Sequence, residues 1–250
     1  MQRVSRMIVS SLAWLPIAAS SAAERELPFE RTETREDCAH YTPERRPLFG
    51  DLHVHTRYSF DSYTSGQRND PWDAYRYAKG EPIQLPDVDG GQSVRAQIRR
   101  PLDFVSVTDH GEYLGEIELC TNDPWSVGYW MPLCMLTRSD FFYLQLIAAS
   151  QWVSVGTTKV SKDAPRSYVC DLPGGSCAES LDVAWANLQR AAEEHYDRTA
   201  ACQLTTFVGY EYTDAPNFKN LHRNVIFRNE RVVNRPVTTY ETGPRNFPDL

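Results

Sequence analysis

Residues 49–56 read FGDLHVHT, and their apolar and polar side chains alternate with the period of two that is typical of a β-strand. Leu52 and Val54 share one face of this strand. The other face carries three side chains that can bind metal ions or protons: Asp51, His53 and His55. We therefore predict a strand whose polar face points into a functional site.

A second strand is predicted at residues 101–110, PLDFVSVTDH, because the stretch is rich in β-branched residues and is bounded by proline and glycine. It ends on Asp109 and His110. Two further strands, which carry Glu211 and His222, are predicted at residues 204–212 and 221–228. Each candidate functional side chain therefore lies at or near the end of a predicted strand.

Helices are predicted between these strands. The first begins at Pro71 with Asp70 as its N-cap and ends at Gly80. Residues 81–100 are predicted to form a loop with one short helix after Ser93. Further helices are predicted at about residues 140–150 and after Ser180. This order predicts a parallel α/β architecture in which side chains at the strand ends line the site.

The first 23 residues have the pattern of a secretory signal peptide: a basic start, an apolar stretch and a small-residue cleavage site before Glu24. The alternative is an uncleaved membrane anchor, for which the apolar run is short. We expect an exported protein, periplasmic or extracellular, with no membrane span after cleavage. An extended lead-in is predicted at residues 24–46, and an α/β domain at 47–250 with a cysteine-containing insertion at about 111–180.

The charge balance argues against nucleic acid as a partner. The chain carries a formal net charge of −7, with 26 basic and 33 acidic residues, and its Lys and Arg are dispersed along the sequence. Binding to a phosphate backbone requires a basic face. We expect a small-molecule substrate instead.

Six cysteines in an exported chain favour disulfide bonds over metal ligands. They allow 15 pairings in principle. Proximity in the sequence favours Cys170 with Cys177 and Cys120 with Cys134, which leaves Cys38 for Cys202. This assignment rests on loop length alone.

The acids and histidines at the predicted strand ends suit a hydrolytic metal site. Two imidazoles on one strand face, at His53 and His55, can reach one ion or an adjacent pair. His110 and Glu211 end two other strands, and a carboxylate can bridge two ions or orient a water. The alternative is a chance grouping of core and surface histidines. His40 and His195 are not predicted to be ligands.

Four phrases in the sequence together resemble the first motifs of the PHP (polymerase and histidinol phosphatase) superfamily, and most closely an uncharacterised exported bacterial branch of it. They are GDLHVHT (50–56), RPLDFVSVTDHGEYLG (100–115), GYE (209–211) and NLHRNVIFR (220–228). The resemblance extends over roughly residues 47–236.

This resemblance implies a distorted (β/α)7 barrel that holds two or three divalent ions, Zn, Mn or Fe, at the C-terminal ends of its strands. It implies that His53 and His55 bind one ion, that Glu211 bridges two, and that His110, His222 and Asp61 complete the ligand set. Asp51 and Asp109 would not contact the ions themselves but would fix the orientation of the histidine ligands. Glu211 and Asp109 are the expected catalytic residues.

The expected reaction is phosphoester hydrolysis by a hydroxide held between the ions, with Arg223 contacting the phosphate. One alternative is amidohydrolase-like hydrolysis of a non-phosphate substrate. Another is a non-catalytic binding protein with an incomplete metal site, because the family pattern continues with further ligands and no His follows His222. For the same reason we expect the chain to be an N-terminal fragment of a longer protein with an incomplete barrel.

Overall fold

A computed structural model describes residues 33–86, 93–158, 166–172, 176–214 and 220–242 of the chain. The predicted signal peptide and the start of the lead-in lie outside these ranges. Within them the strands are β1 (Gly50–Val54), β2 (Ile83–Leu85), β3 (Val94–Ala96), β4 (Phe104–Val107), β5 (Thr205–Asp214) and β6 (Leu221–Ile226).

Four of these strands form a curled mixed sheet in the order β1-β4-β5-β6. β1, β4 and β5 run parallel, whereas β6 is antiparallel to β5. Gly50 allows the close approach of β1 to β4, because a Cβ atom there would lie 2.2 Å from the carbonyl oxygen of Phe104. The carboxyl ends of three parallel strands therefore meet at one edge of the sheet.

The predicted (β/α)7 barrel is wrong. A barrel of that kind needs consecutive parallel strands joined by helical crossovers. In the described part of the chain only three strands are parallel, and the chain reverses from β5 into the antiparallel β6. The sheet is therefore an open half-barrel rather than a closed one.

The helices in the described ranges lie mostly between β1 and β5. They are α1 (Phe60–Thr64), α2 (Pro71–Ala78), α3 (Leu114–Asn122), α4 (Pro132–Thr137), α5 (Phe142–Thr158), α6 (Cys177–His195) and α7 (Thr239–Thr242). Short 3₁₀ turns occur at Gly111–Tyr113, Gly128–Trp130 and Tyr168–Asp171.

The start of α2 confirms the predicted N-cap. The Asp70 carboxylate accepts from the backbone N–H of Asp73 at 2.9 Å, and Asp73 reciprocates at 3.2 Å. The loop predicted at residues 81–100 is wrong, because β2 and β3 pair there as an antiparallel ladder. The short helix predicted directly after Ser93 is also wrong, since β3 begins at Val94.

Two apolar cores hold the described chain together. In the first, α2 and α6 pack on the sheet, with Tyr75, Val107, Trp185 and Tyr210 almost fully buried. The second lies within the segment predicted as an insertion. Its members include Tyr113, Ile117, Leu119, Leu133 and Trp152, which come from α3, α4, α5 and the turn before α3.

The structure confirms the three predicted disulfides: Cys38–Cys202, Cys120–Cys134 and Cys170–Cys177. The first ties residues 33–46, which carry no helix or strand, to the turn between α6 and β5. Three disulfides fit an exported protein. Across the described ranges, no helix has the length and apolar character required to cross a bilayer.

Candidate metal centre

The predicted ligands come together where the three parallel strands end. His53 lies near the end of β1, and His55 follows that strand directly. His110 follows β4 and forms an isolated bridge to Glu211 in β5. Strand β6 pairs with β5 and brings in His222, which lies opposite Thr213.

Glu211 is the centre of the arrangement. Its carboxylate is fully buried. Oε2 lies 2.7 Å from Nε2 of His55, 3.1 Å from Nε2 of His53 and 3.7 Å from Nδ1 of His110, while Oε1 contacts Nδ1 of His222. Four imidazoles from three parts of the sheet thus face one carboxylate.

Asp61, in α1, lies on the outer side of two of these rings. Its Oδ1 is 3.3 Å from Nδ1 of His55, and its Oδ2 is 3.4 Å from Nε2 of His110. An acceptor at Nδ1 of His55 favours the tautomer that carries its proton there. When the ring is neutral, as it must be to bind a cation, its Nε2 lone pair is directed at the Glu211 side.

Asp109 lies behind the cluster. Its Oδ1 accepts from the backbone N–H of Thr56 at 2.6 Å and from Oγ of Ser59 at 2.7 Å, and its Oδ2 accepts from Oγ1 of Thr56 at 2.7 Å. Ser59 Oγ in turn accepts from the N–H of His110 at 3.1 Å. The carboxylate therefore fixes the loop that follows His55 and does not hydrogen-bond to an imidazole.

Two other predicted residues lie apart from the imidazoles. Asp51 accepts a hydrogen bond from the backbone N–H of His53 at 3.0 Å. It therefore stabilises the backbone of β1 and does not orient the imidazole ring of His53. Arg223 follows His222 in β6, and consecutive residues of a strand point to opposite faces. Its side chain is consequently directed away from the face that carries His222.

The sequence analysis missed Thr213, whose Oγ1 lies 2.8 Å from Nδ1 of His110 and 3.4 Å from Oε1 of Glu211. Strand alternation could have identified it, because Thr213 is two residues beyond Glu211 on the same face of β5. Glu112 was also missed. Its Oε1 accepts from the N–H of Thr213 at 2.8 Å.

The acids and imidazoles complement one another electrostatically. Burial disfavours the charged ring of His55, but hydrogen bonds to Asp61 and Glu211 outweigh it and raise the pKa of His55 to about 10. Burial likewise opposes ionisation of Glu211, yet the surrounding histidines lower its pKa to about 2. The pKa of Asp61 is well below its usual range for the same reason.

Three overlapping groups of side chains place one ligand atom each within 4.8 Å of one another. They are His53, His55 and Glu211; His55, Asp61 and His110; and His110, Glu211 and His222. A fourth group, Glu116 with Cys170 and Cys177, has both sulfurs in a disulfide. Its cysteines therefore offer no thiolate, and we do not consider it a metal site.

A cavity of about 300 Å³ opens beside the cluster. Asp61, His110 and His222 line one side of it. The rest of the lining consists of six aromatic and aliphatic side chains, Phe60, Tyr113, Ala149, Trp152, Val153 and Tyr240, and six polar ones, Thr64, Ser65, Glu112, Thr213, Asn220 and Thr239. The candidate ligands are thus accessible from this pocket.

Comparison with known protein families identifies the family to which the chain belongs. A family model described as "Protein of unknown function (DUF3604)" matches residues 42–248. The chain belongs to the DUF3604 family. The match takes in all the candidate site residues: Asp51, His53, His55, Asp61, Asp109, His110, Glu211 and His222. No curated protein and no solved structure shows significant similarity to this DUF3604 protein.

The membership corrects the resemblance to the PHP superfamily. The family that matches is DUF3604, and no PHP model does. The open mixed sheet agrees with this correction, because it lacks the closed barrel that the resemblance implied.

Proposed function

We propose that this protein is an exported metal-dependent hydrolase whose cluster binds two divalent ions on either side of Glu211. One observation carries the proposal. A fully buried carboxylate is surrounded by four imidazoles that approach it from β1, β6 and the end of β4.

The donor set fits divalent cations. Imidazole nitrogens together with carboxylate oxygens are the ligands that Zn, Mn and Fe accept in proteins. One group of candidate ligands is formed by His53, His55 and Glu211, and another by His110, Glu211 and His222. The two groups have only Glu211 in common. This is the arrangement expected of a carboxylate that bridges two ions.

Divalent ions bound there would polarise the scissile bond and make a water molecule more acidic. Residues around the ligands would hold the imidazole rings in the orientation that metal binding requires. Asp61 holds the ring of His55, and Thr213 holds that of His110. Asp109 fixes the loop between β1 and α1, and with it the direction of the His55 backbone.

The open side of the cluster is where a substrate would approach. The side chains of His53 and His222 are 52% and 35% exposed, whereas His110 and Glu211 are almost inaccessible. A phosphoester is our first choice of substrate, since two cations held there would offset the negative charge of its oxygens. The three disulfides support a site of action in the periplasm or outside the cell.

A substrate screen tests this proposal. Metal-reconstituted wild type is assayed against a phosphomonoester, a phosphodiester and an amide, next to Glu211→Gln and the exposed control Glu230→Gln. We expect hydrolysis of at least one phosphoester, lost by about 10²-fold or more in Glu211→Gln and unchanged in the control. Full metal occupancy without hydrolysis of any phosphoester would contradict the proposed reaction.

A further inference from the structure

The cavity beside the cluster has two chemically distinct ends. At one end Asp61, His110 and His222 belong to the candidate metal centre. At the other end, Tyr113 and Trp152 are almost fully buried and their rings lie 5.4 Å apart. A molecule bound here would therefore meet polar ligands on one side and aromatic rings on the other.

The volume suits a ring together with a reacting group. A cavity of about 150 Å³ lined by apolar side chains is large enough for benzene. The cavity here measures about 300 Å³, at the lower end of the range for small-molecule sites. The space beyond a single ring is enough for a linking atom and a tetrahedral group near the cluster.

The charges around the cavity restrict what can enter it. Among the described residues that line it, none is Lys or Arg. A substrate with several phosphate groups would need such cations away from the metal centre. Phe60 is partly exposed, and its ring packs edge to face against that of Tyr113 at 5.2 Å, so it instead offers an aromatic surface to a planar ring.

An unpaired polar atom also indicates that a ligand belongs in the cavity. Glu112 lines it and is 5% exposed, and its Oε2 atom has no hydrogen-bond partner although Oε1 accepts from Thr213. A buried polar atom without a hydrogen-bond partner is costly. A hydroxyl group on a bound molecule, which can donate or accept, would supply the missing partner.

We propose that the substrate of this site carries an aromatic group next to the scissile bond, and that this cavity is its binding pocket. This inference rests on the proposed hydrolase function. The aromatic group would pack against Phe60 and Ala149, while the bond to be cleaved faces His110 and His222. Specificity for aryl or benzyl esters over small alkyl esters follows.

Ala149 is a small side chain in the cavity lining at which a larger residue would fill the pocket. It lines the cavity and is partly buried in α5, so a leucine there would extend into the space for the ring. Ser150 is the next residue of the same helix and is exposed. Ala149→Leu and Ser150→Leu make the same helix more apolar, but only the first reduces the cavity.

Binding of two non-hydrolysable ligands, phenylphosphonate and methylphosphonate, is measured by calorimetry with metal-loaded protein. We expect phenylphosphonate to bind at least about 10-fold more tightly than methylphosphonate in wild type. Ala149→Leu should abolish that preference without weakening methylphosphonate, and Ser150→Leu should retain it. Equal affinity in wild type, or a preference unchanged in Ala149→Leu, would overturn the inference.

A metal-free arm separates this inference from the proposed function. Benzyl alcohol is titrated into metal-stripped protein and followed by ligand-observed NMR. We expect binding in wild type and Ser150→Leu, and a loss of about 10-fold in Ala149→Leu. Benzyl alcohol binding in a protein that takes up no metal would refute the hydrolase proposal and retain the aromatic pocket. Metal uptake without binding of either aromatic ligand would refute the pocket alone.

Discussion

Nε2 of His55 lies 2.7 Å from Oε2 of Glu211, although 156 residues separate the two in the sequence. The contact joins the end of β1 to β5, and β4 lies between these strands in the sheet. It can form only when the three parallel strands are in register. The candidate metal centre is therefore a direct consequence of the sheet, and its integrity reports on the fold.

Asp61 should control metal affinity without being indispensable. Asp61→Asn removes the charge that faces Nδ1 of His55 and Nε2 of His110. Loss of such a partner typically weakens metal binding by about 10- to 100-fold. Calorimetric titration with Zn²⁺ measures the change. Asp140→Asn is the matched control, because Asp140 is 89% exposed and lies outside the cluster. The Zn²⁺ affinity of this variant should equal that of wild type.

Asp109 should be a major determinant of stability. Asp109→Ala leaves the N–H and Oγ1 of Thr56 and the Oγ of Ser59 without their buried acceptor. We expect the free energy of unfolding to fall by about 3 kcal/mol in urea denaturation, because hydrogen bonds to a buried charge are among the stronger ones. The half-exposed Asp103 accepts from the N–H of Phe49 in a similar way. Asp103→Ala should cost about 1 kcal/mol or less, and equal losses in the two variants would argue against our account of Asp109.

Glu116 should make stability fall as the pH rises. It is fully buried in α3, and neither carboxylate oxygen has a hydrogen-bond partner. Burial raises the pKa of Glu116 above its usual value and outweighs the opposing charge of Arg166, which lies 3.6 Å away. The folded state therefore binds this proton more tightly than the unfolded state. Stability is unaffected below the unfolded pKa and decreases as the pH rises from there to the folded pKa.

Glu116→Gln tests that pH dependence. The variant should melt at a higher temperature than wild type at pH 7, and the difference should disappear at about pH 4, where wild-type Glu116 is protonated in both states. Differential scanning calorimetry at several pH values gives the comparison. Glu230→Gln is the control for an exposed glutamate. A variant that is less stable than wild type at pH 7 would show that the ion pair with Arg166 outweighs burial.

The disulfides should differ in their contributions to stability. Cys38–Cys202 joins residues 164 apart, whereas Cys170–Cys177 joins residues 7 apart. In the chain-entropy model, loss of the longer link costs about 5 kcal/mol and loss of the shorter about 2 kcal/mol. Denaturant unfolding of the two double Cys→Ser variants checks this order. Equal losses would indicate that native packing, rather than the unfolded chain, determines their effect.

Much of the site could be predicted from local sequence, because its residues lie on or directly after strands. Alternation in residues 49–56 placed His53 and His55 on one face, and His110 and Glu211 follow β-branched runs. The structure brings these four together with His222 and Asp61. Two disulfides were predictable from loop length, because Cys120 with Cys134 and Cys170 with Cys177 are near neighbours in the sequence, and Cys38 with Cys202 was then the pair that remained.

Features that depend on distant contacts were not predictable in this way. The direction of β6 relative to β5 is determined by how the chain turns between them, and hydrophobic alternation is the same in either direction. β2 and β3 contain three residues each, too few to show a period. The aromatic wall of the cavity combines Phe60, Tyr113 and Trp152, which no local pattern connects.

The most direct test of the metal centre is elemental analysis of purified protein, comparing wild type with a His53→Ala, His55→Ala variant and with His40→Ala. His40 is exposed in the lead-in and serves as the histidine control. We expect about two equivalents of divalent metal per chain in wild type and in His40→Ala, as a bridged two-ion site requires, and at most one in the double variant. Little metal in wild type after reconstitution, or equal metal in all three proteins, would contradict a metal centre at Glu211.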